Sequence, residues 1–265
     1  MRRSLPIALL VLLAGLLACS SPKAQPHAPA GDFANWAAVV IAGDWRGHDG
    51  GETQAFENTR RDVSAALVNA GFDPQNVLQY SLRPRKPGDD PKVFVTPHDV
   101  VMGFDALGKK ATAGCLFYVS SHGSPDGAVF GPTAMLDPRT LKVILDGVCG
   151  ERPTVVVVSA CFSGVFVPVI AAPNRMVMTA ARDDRSSFGC SDKDRYPYFD
   201  ACILESFPTS PDFLVLSKKT KACVTRKETE QKAEPPSEPQ TSIGGQAKLW
   251  LPFMRFSNRS AAAGP

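Results

Sequence analysis

The stretch TVVVVSACFSG, residues 154–164, carries the strongest structural signal in this chain. Its run of valines is apolar and β-branched, which is typical of a strand buried on both faces of a parallel sheet. A second stretch of the same kind, CLFYVSSHG, occupies residues 115–123. The first run leads into Cys161 and the second into His122. The separation of these two residues along the chain suits one strand–helix–strand unit.

Further strands and helices alternate on either side of these two stretches. The alternation predicts βαβ units with right-handed crossovers. We therefore expect an α/β fold with a mainly parallel central sheet and helices on both of its faces. The other predicted strands are Trp36–Ala42 and residues 77–82 and 175–180, and the predicted helices are residues 55–70, 96–107 and 137–148.

The C-terminal part gives a weaker pattern. Residues 213–216 suit either a strand or the start of a helix, and the charged segment 218–232 predicts a solvated helix. The Pro-rich segment 234–240 predicts a loop. Residues 249–253 suit an edge strand or a packing tail.

The N-terminus has the pattern of an export signal. Residues 1–18 join a short basic start to an apolar run that is too short to span a bilayer. The sequence Leu-Leu-Ala-Cys at its end resembles the lipobox of bacterial lipoproteins, which predicts lipidation of Cys19; ordinary cleavage that leaves Cys19 incidental is the alternative. Ser20 follows, and in the lipoproteins that this resembles it favours the outer membrane. We expect a cell-envelope protein, lipid-anchored and facing the periplasm, with residues 19–34 as a flexible tether and 35–265 as one domain.

Charge and cysteine content limit the other possibilities. Lys and Arg residues are scattered along the chain, which gives no case for a nucleic-acid partner. Of the seven cysteines, five remain if Cys19 is lipidated and Cys161 is a free thiol, and five cannot all pair. The sequence contains no C-x-x-C pair and its four histidines are dispersed, so we expect no zinc site.

A Cys and a His at the ends of neighbouring parallel strands have a chemical purpose. Such strands end on the same edge of a sheet, where α/β proteins bind their ligands. An imidazole there can take the proton of a thiol and later protonate a leaving amine. The amides of Gly123 and Cys161 could then form an oxyanion hole. The competing interpretation is structural, since a lone buried Cys is usually a small core residue.

The two strand ends, His122-Gly123 and Ala160-Cys161, resemble those of the legumain family of cysteine peptidases, within the wider group that includes the caspases. Residues 179–190, TAARDDRSSFGC, are also similar to the legumain segment after the next strand, and Asp200 follows at the expected distance. The resemblance spans residues 36–208. It implies a caspase-like three-layer sandwich, a peptide or protein substrate, and a Cys161 acyl-enzyme that is hydrolysed. It also implies that no metal or organic cofactor is needed.

The resemblance further implies a substrate pocket. In legumains a Ser of the Ser-Ser segment, here Ser186 or Ser187, and a later Asp, here Asp200, help to line the pocket for an Asn side chain. The chain departs from this pattern at Ser159, where legumains carry an acidic residue. Arg60 lies in a segment that is more like the caspase pattern, in which an Arg reads an acidic side chain. Asn, Asp and basic side chains all stay open as the preferred residue. A transpeptidase or ligase using the same acyl-enzyme, and a non-catalytic binding module, are the alternative functions.

Overall fold

The computed structural model describes residues 33–257. Its centre is a six-stranded sheet in the order β2-β1-β3-β7-β8-β9, in which only β9 runs antiparallel to its neighbour. A small antiparallel sheet, β4-β5-β6, stands beside it. The strands are β1 Trp36–Ala42, β2 Val77–Ser81, β3 Gly114–Ser120, β4 Gly123–Ser124, β5 Gly127–Val129, β6 Met135–Leu136, β7 Thr154–Ser159, β8 Arg175–Thr179 and β9 Gln240–Ile243.

Helices cover both faces of the central sheet. Residues in β1, β3, β7 and β8 are buried along their whole length, because each of these strands packs against helices on both sides. One core cluster joins the sheet to α1, α5 and α6, and the other joins it to α2 and α3. This is the predicted three-layer α/β arrangement. The helices are α1 Ala55–Asn69, α2 Pro97–Lys110, α3 Pro138–Val148, α4 Val167–Ile170, α5 Tyr198–Ser206, α6 Phe213–Gln231 and α7 Ala247–Trp250.

Local sequence explains where two of the crossover helices begin. Thr96 caps α2 by accepting from the Asp99 amide, and the Asp99 side chain accepts from the Thr96 amide in return. Asp137 caps α3 by accepting from the amides of Arg139 and Thr140. A proline occupies the first turn of both helices, where its missing N–H would have had no partner in any case.

The C-terminal part differs from its predicted form in three places. A helix that the sequence did not reveal, α5, precedes α6. Residues 213–216 begin α6, which is less solvated than expected because it buries Cys223 and Val224 against α5. The short strand β9 follows the predicted loop, and residues 249–253 form a packing tail with Leu251 buried.

Four cysteines form two disulfides, Cys115–Cys149 and Cys202–Cys223. Cys161 and Cys190 are free thiols. Besides Cys161, the described part of the chain therefore contains one cysteine without a disulfide partner, Cys190, as the cysteine count predicted. The first bond links β3 to the end of α3, and the second links α5 to α6.

The predicted signal peptide and lipidation site, including Cys19, lie outside the described residues. The predicted tether was too long at its C-terminal end. Phe33 is fully buried and stacks on Phe72, so the ordered domain includes it. Within residues 33–257, none of the helices has the length and apolar character needed to span a bilayer.

Candidate active site

The central sheet brings the two candidate catalytic residues to one edge. Strands β3 and β7 are parallel neighbours, and their last residues, Ser120 and Ser159, are register partners. His122 and Cys161 therefore leave the sheet side by side. Both line one cavity of about 500 Å³. A larger cavity of about 830 Å³ lies beside β2, but its lining contains neither a cysteine nor a histidine.

The imidazole of His122 is oriented by two contacts. Its Nε2 lies 2.7 Å from the carbonyl oxygen of Arg46, and its ring meets that of Phe56 edge-on at 5.1 Å. A carbonyl oxygen can only accept, so Nε2 carries the proton and Nδ1 of the neutral ring is left as the base. No hydrogen bond joins the ring to the Cys161 thiol within the described residues; catalytic contacts are often long before substrate binds.

The thiol of Cys161 is held by the segment that precedes Phe188. The amide of Ser187 donates to Sγ at 3.2 Å, and the Ser187 hydroxyl lies 3.5 Å from Sγ. Phe162, the next residue after Cys161, adopts the left-handed conformation with φ 56° and ψ 14°, and its amide donates to the Arg185 carbonyl at 2.8 Å. A non-glycine residue in this region is strained and is found mainly where a site demands it. The turn directs the thiol into the cavity.

Two glycines allow backbone segments to approach Cys161 closely. A Cβ on Gly123 would overlap the carbonyl oxygen of Cys161 and would lie 2.9 Å from the Ala160 Cβ. A Cβ on Gly164 would overlap the amide nitrogen of Asp183. The first approach places β4 against Cys161, and the second brings the chain segment leading to Ser187 beside it.

The structure brings some of the predicted pocket residues to the cavity and keeps others away. Ser186 and Ser187 line it. Asp200 does not, because it is fully buried behind the strand ends, where Ser159 is also buried. Arg60 is not brought to the cavity either. Its guanidinium is bound to the Glu57 carboxylate at 3.0 Å and to the Gln79 side-chain oxygen at 2.9 Å.

Several cavity residues come from loops that carry no periodic signal. His48 is exposed and lines the cavity, and its amide donates to the Cys190 carbonyl at 3.0 Å. In the sequence, only the similarity of residues 179–190 to legumains indicated that this segment lines the cavity. The residues that sequence reasoning missed are His48, Phe162, Asp184, Phe188, Gly189, Cys190, Ser191, Asp194, Glu234 and Pro235.

Burial controls the acidity of one group behind the cavity, Asp200, and of one in its wall, Cys190. It raises the pKa of Asp200 from 3.8 to about 6, although hydrogen bonds from Ser120, Tyr118 and Thr59 oppose the shift. Burial also raises the pKa of the Cys190 thiol, and the neighbouring charges of Cys161 and Asp200 raise it further. Cys190 is therefore the less reactive of the two free thiols.

The described part of the chain contains no set of side chains arranged to bind a metal ion. Among residues 33–257, no group of three or more His, Cys, Asp or Glu side chains is arranged to hold a metal ion. The reactive groups that the cavity offers are two thiols, two imidazoles and several hydroxyls and carboxylates.

Comparison with known proteins agrees with this geometry. Residues 100–221 match the model of the Peptidase C13 family. The chain is also similar to the crystal structure of caspase-1 from Spodoptera frugiperda, with a TM-score of 0.57 and 12% sequence identity over 83% of this chain and 91% of that one. At that identity the likeness shows the fold alone. No curated protein matches the chain. Residues 100–221 are thus similar to legumain-type cysteine peptidases, and the fold of the chain is caspase-like.

Proposed function

We propose that the protein is a cysteine endopeptidase with Cys161 as its nucleophile and His122 as its general base and acid. The observation that carries the proposal is the placement of a free thiol and an oriented imidazole in one cavity, at the ends of adjacent parallel strands. The match of residues 100–221 to a cysteine-peptidase family supports it.

The geometry suggests each step of the reaction. Nδ1 of His122 takes the thiol proton, and the sulfur of Cys161 attacks the peptide carbonyl carbon. The amides of Gly123 and Cys161 stabilise the oxyanion; that of Cys161 donates to no acceptor within residues 33–257. The C–N bond breaks as His122 returns the proton to the amine. Water then loses a proton to His122, attacks the thioester and releases a carboxylic acid and the free thiol.

The charge of the cavity bears on the substrate. Asp184 is already bound by Arg182 and Arg185. The carboxylates of Asp194 and Glu234 form no ion pair among the described residues, and no Lys or Arg lines the cavity there. A cationic side chain would gain attraction in this setting and an anionic one would be repelled. Of the three classes left open by the sequence, we favour a basic residue before the cleaved bond.

A fluorogenic peptide panel tests the proposal. The peptides carry Arg, Lys, Asn, Asp or Ala before the reporter, and products are identified by mass spectrometry. Cleavage that is lost in Cys161→Ala supports an endopeptidase. Joined peptides in the presence of an added amine would assign the protein as a transpeptidase, and a folded wild type that transforms no peptide would favour a binding module.

A palmitate-labelling experiment tests the predicted localisation. We propose that the mature protein begins at a lipidated Cys19 and is anchored in the outer membrane, on the strength of its lipobox-like sequence. Radiolabelled palmitate should enter the wild type and not Cys19→Ala. A wild type that incorporates no label and stays soluble would contradict the proposal.

A further inference from the structure

Asp200 is the centre of a buried hydroxyl network. It is fully inaccessible to solvent and lies in the first turn of α5. The Ser120 hydroxyl donates to Oδ2 at 2.5 Å and the Thr59 hydroxyl donates to the same oxygen at 3.2 Å. The Tyr118 hydroxyl donates to Oδ1. Both oxygens are therefore occupied by the protein itself.

The donors tie the end of β3 to the helices behind it. Tyr118 and Ser120 belong to β3, and Ser120 ends that strand two residues before His122. Thr59 belongs to α1. The carboxyl group, which belongs to α5, thus connects the end of β3 to α1, beside the end of β7 that leads to Cys161.

We propose that Asp200 is a positioning residue, which fixes the end of β3 against α1 and α5 and so sets the position of His122 relative to Cys161. This inference rests on the proposed cysteine-peptidase function and differs from a role for Asp200 in reading the substrate. A pocket residue needs an accessible oxygen, whereas both oxygens of Asp200 are buried and hydrogen-bonded. A positional error of about 1 Å can slow a reaction roughly a hundredfold, even when the change lies away from the reacting atoms.

The test compares Asp200→Asn with the wild type on the peptide panel. The Asn side chain keeps the shape but turns one acceptor oxygen into a donor, which opposes the hydroxyls of the network. We expect kcat to fall about ten- to a hundredfold for every peptide, with KM changed less than twofold, because positioning acts on the chemical step. Iodoacetamide should also alkylate Cys161 more slowly, since its partner imidazole is displaced.

Asp212→Asn is the matched control. Asp212 is another buried Asp, which caps α6 and pairs with Arg255 at 2.6 Å, and it does not line the cavity. This variant should lower the midpoint of thermal unfolding and leave kcat unchanged. If the role of Asp200 were purely structural, Asp200→Asn would likewise lower the midpoint of thermal unfolding and leave kcat unchanged.

Other outcomes overturn the inference. If Asp200→Asn loses activity only for one class of side chain, Asp200 reads the substrate. If kcat and the alkylation rate are both unchanged, it is structural only. Should the variant not fold, Ser120→Ala and Tyr118→Phe each remove one donor, and both must lower kcat by at least threefold. A folded wild type that cleaves no peptide refutes the peptidase function instead, and the rate of Cys161 alkylation still tests the positioning.

Discussion

Gly123→Ala offers a sharp test of how closely the strand after His122 approaches the nucleophile. The new Cβ would overlap the Cys161 carbonyl oxygen and lie 2.9 Å from the Ala160 Cβ. Overpacking of this kind costs about 1–3 kcal/mol, and a stiffer unfolded chain returns about 0.4–1 kcal/mol. The net loss of about 1–2 kcal/mol corresponds to a fall in Tm of about 2–8 °C for a domain of this size.

The activity of Gly123→Ala should fall further than its stability suggests. The Cβ meets backbone atoms of Cys161, which can only yield if the nucleophile or β4 moves. Displacement by about 1 Å would reduce kcat roughly a hundredfold. Thermal unfolding followed by circular dichroism gives Tm, and the peptide panel gives kcat.

Gly147→Ala is the control for Gly123→Ala. A Cβ on Gly147 would meet nothing within 4 Å, and the residue lies inside α3. Ala in a helix interior is more stable than Gly by about 0.5–1 kcal/mol, so this variant should have an unchanged or higher Tm and wild-type kcat. If Gly123→Ala matches the wild type in both measurements, the close approach of β4 to Cys161 is not needed for activity and our account of this glycine is wrong.

Three further predictions concern the buried groups of the domain. Iodoacetamide should label Cys161 before Cys190, because burial raises the pKa of the Cys190 thiol; peptide mapping by mass spectrometry checks the order, and equal labelling would contradict it. Replacing both Cys202 and Cys223 by Ala removes a cross-link between residues 21 positions apart and should lower the free energy of unfolding by about 3 kcal/mol. Urea denaturation measures this free energy. A loss under about 1 kcal/mol would show that the cross-link contributes little to stability. The pKa of Asp200 is raised to about 6, so the folded protein binds a proton that the unfolded chain releases, and this group makes stability fall as pH rises from about 4 to about 6. Asp200→Asn should flatten that part of the stability curve, and an unchanged slope would place the titration on another group.

The central strands and the pairing of His122 with Cys161 could be predicted because both depend on local pattern. A strand that is buried on both faces must be apolar at nearly every position, as in β3 and β7. Parallel neighbours necessarily end at the same edge of the sheet. Once these two strands are identified, the proximity of the residues that follow them can be predicted without knowledge of the rest of the fold.

The disulfides, the edge strand and the roles of Arg60 and Asp200 could not be predicted in this way. Cysteine count alone cannot select partners, and β9 is a short polar segment whose only strand signal is its pairing with β8. Arg60 was expected at the substrate, but Glu57 and Gln79 hold it elsewhere.

The sequence by itself determined the class of fold, the two candidate catalytic side chains and their common edge of the sheet, because these follow from patterns over short distances along the chain. Only the tertiary structure decided what surrounds them. Asp200 meets Ser120 and Thr59 across separations of 80 and 141 residues. Such contacts arise from how helices dock on the sheet, and the docking depends on side-chain packing throughout the core, which no local pattern records.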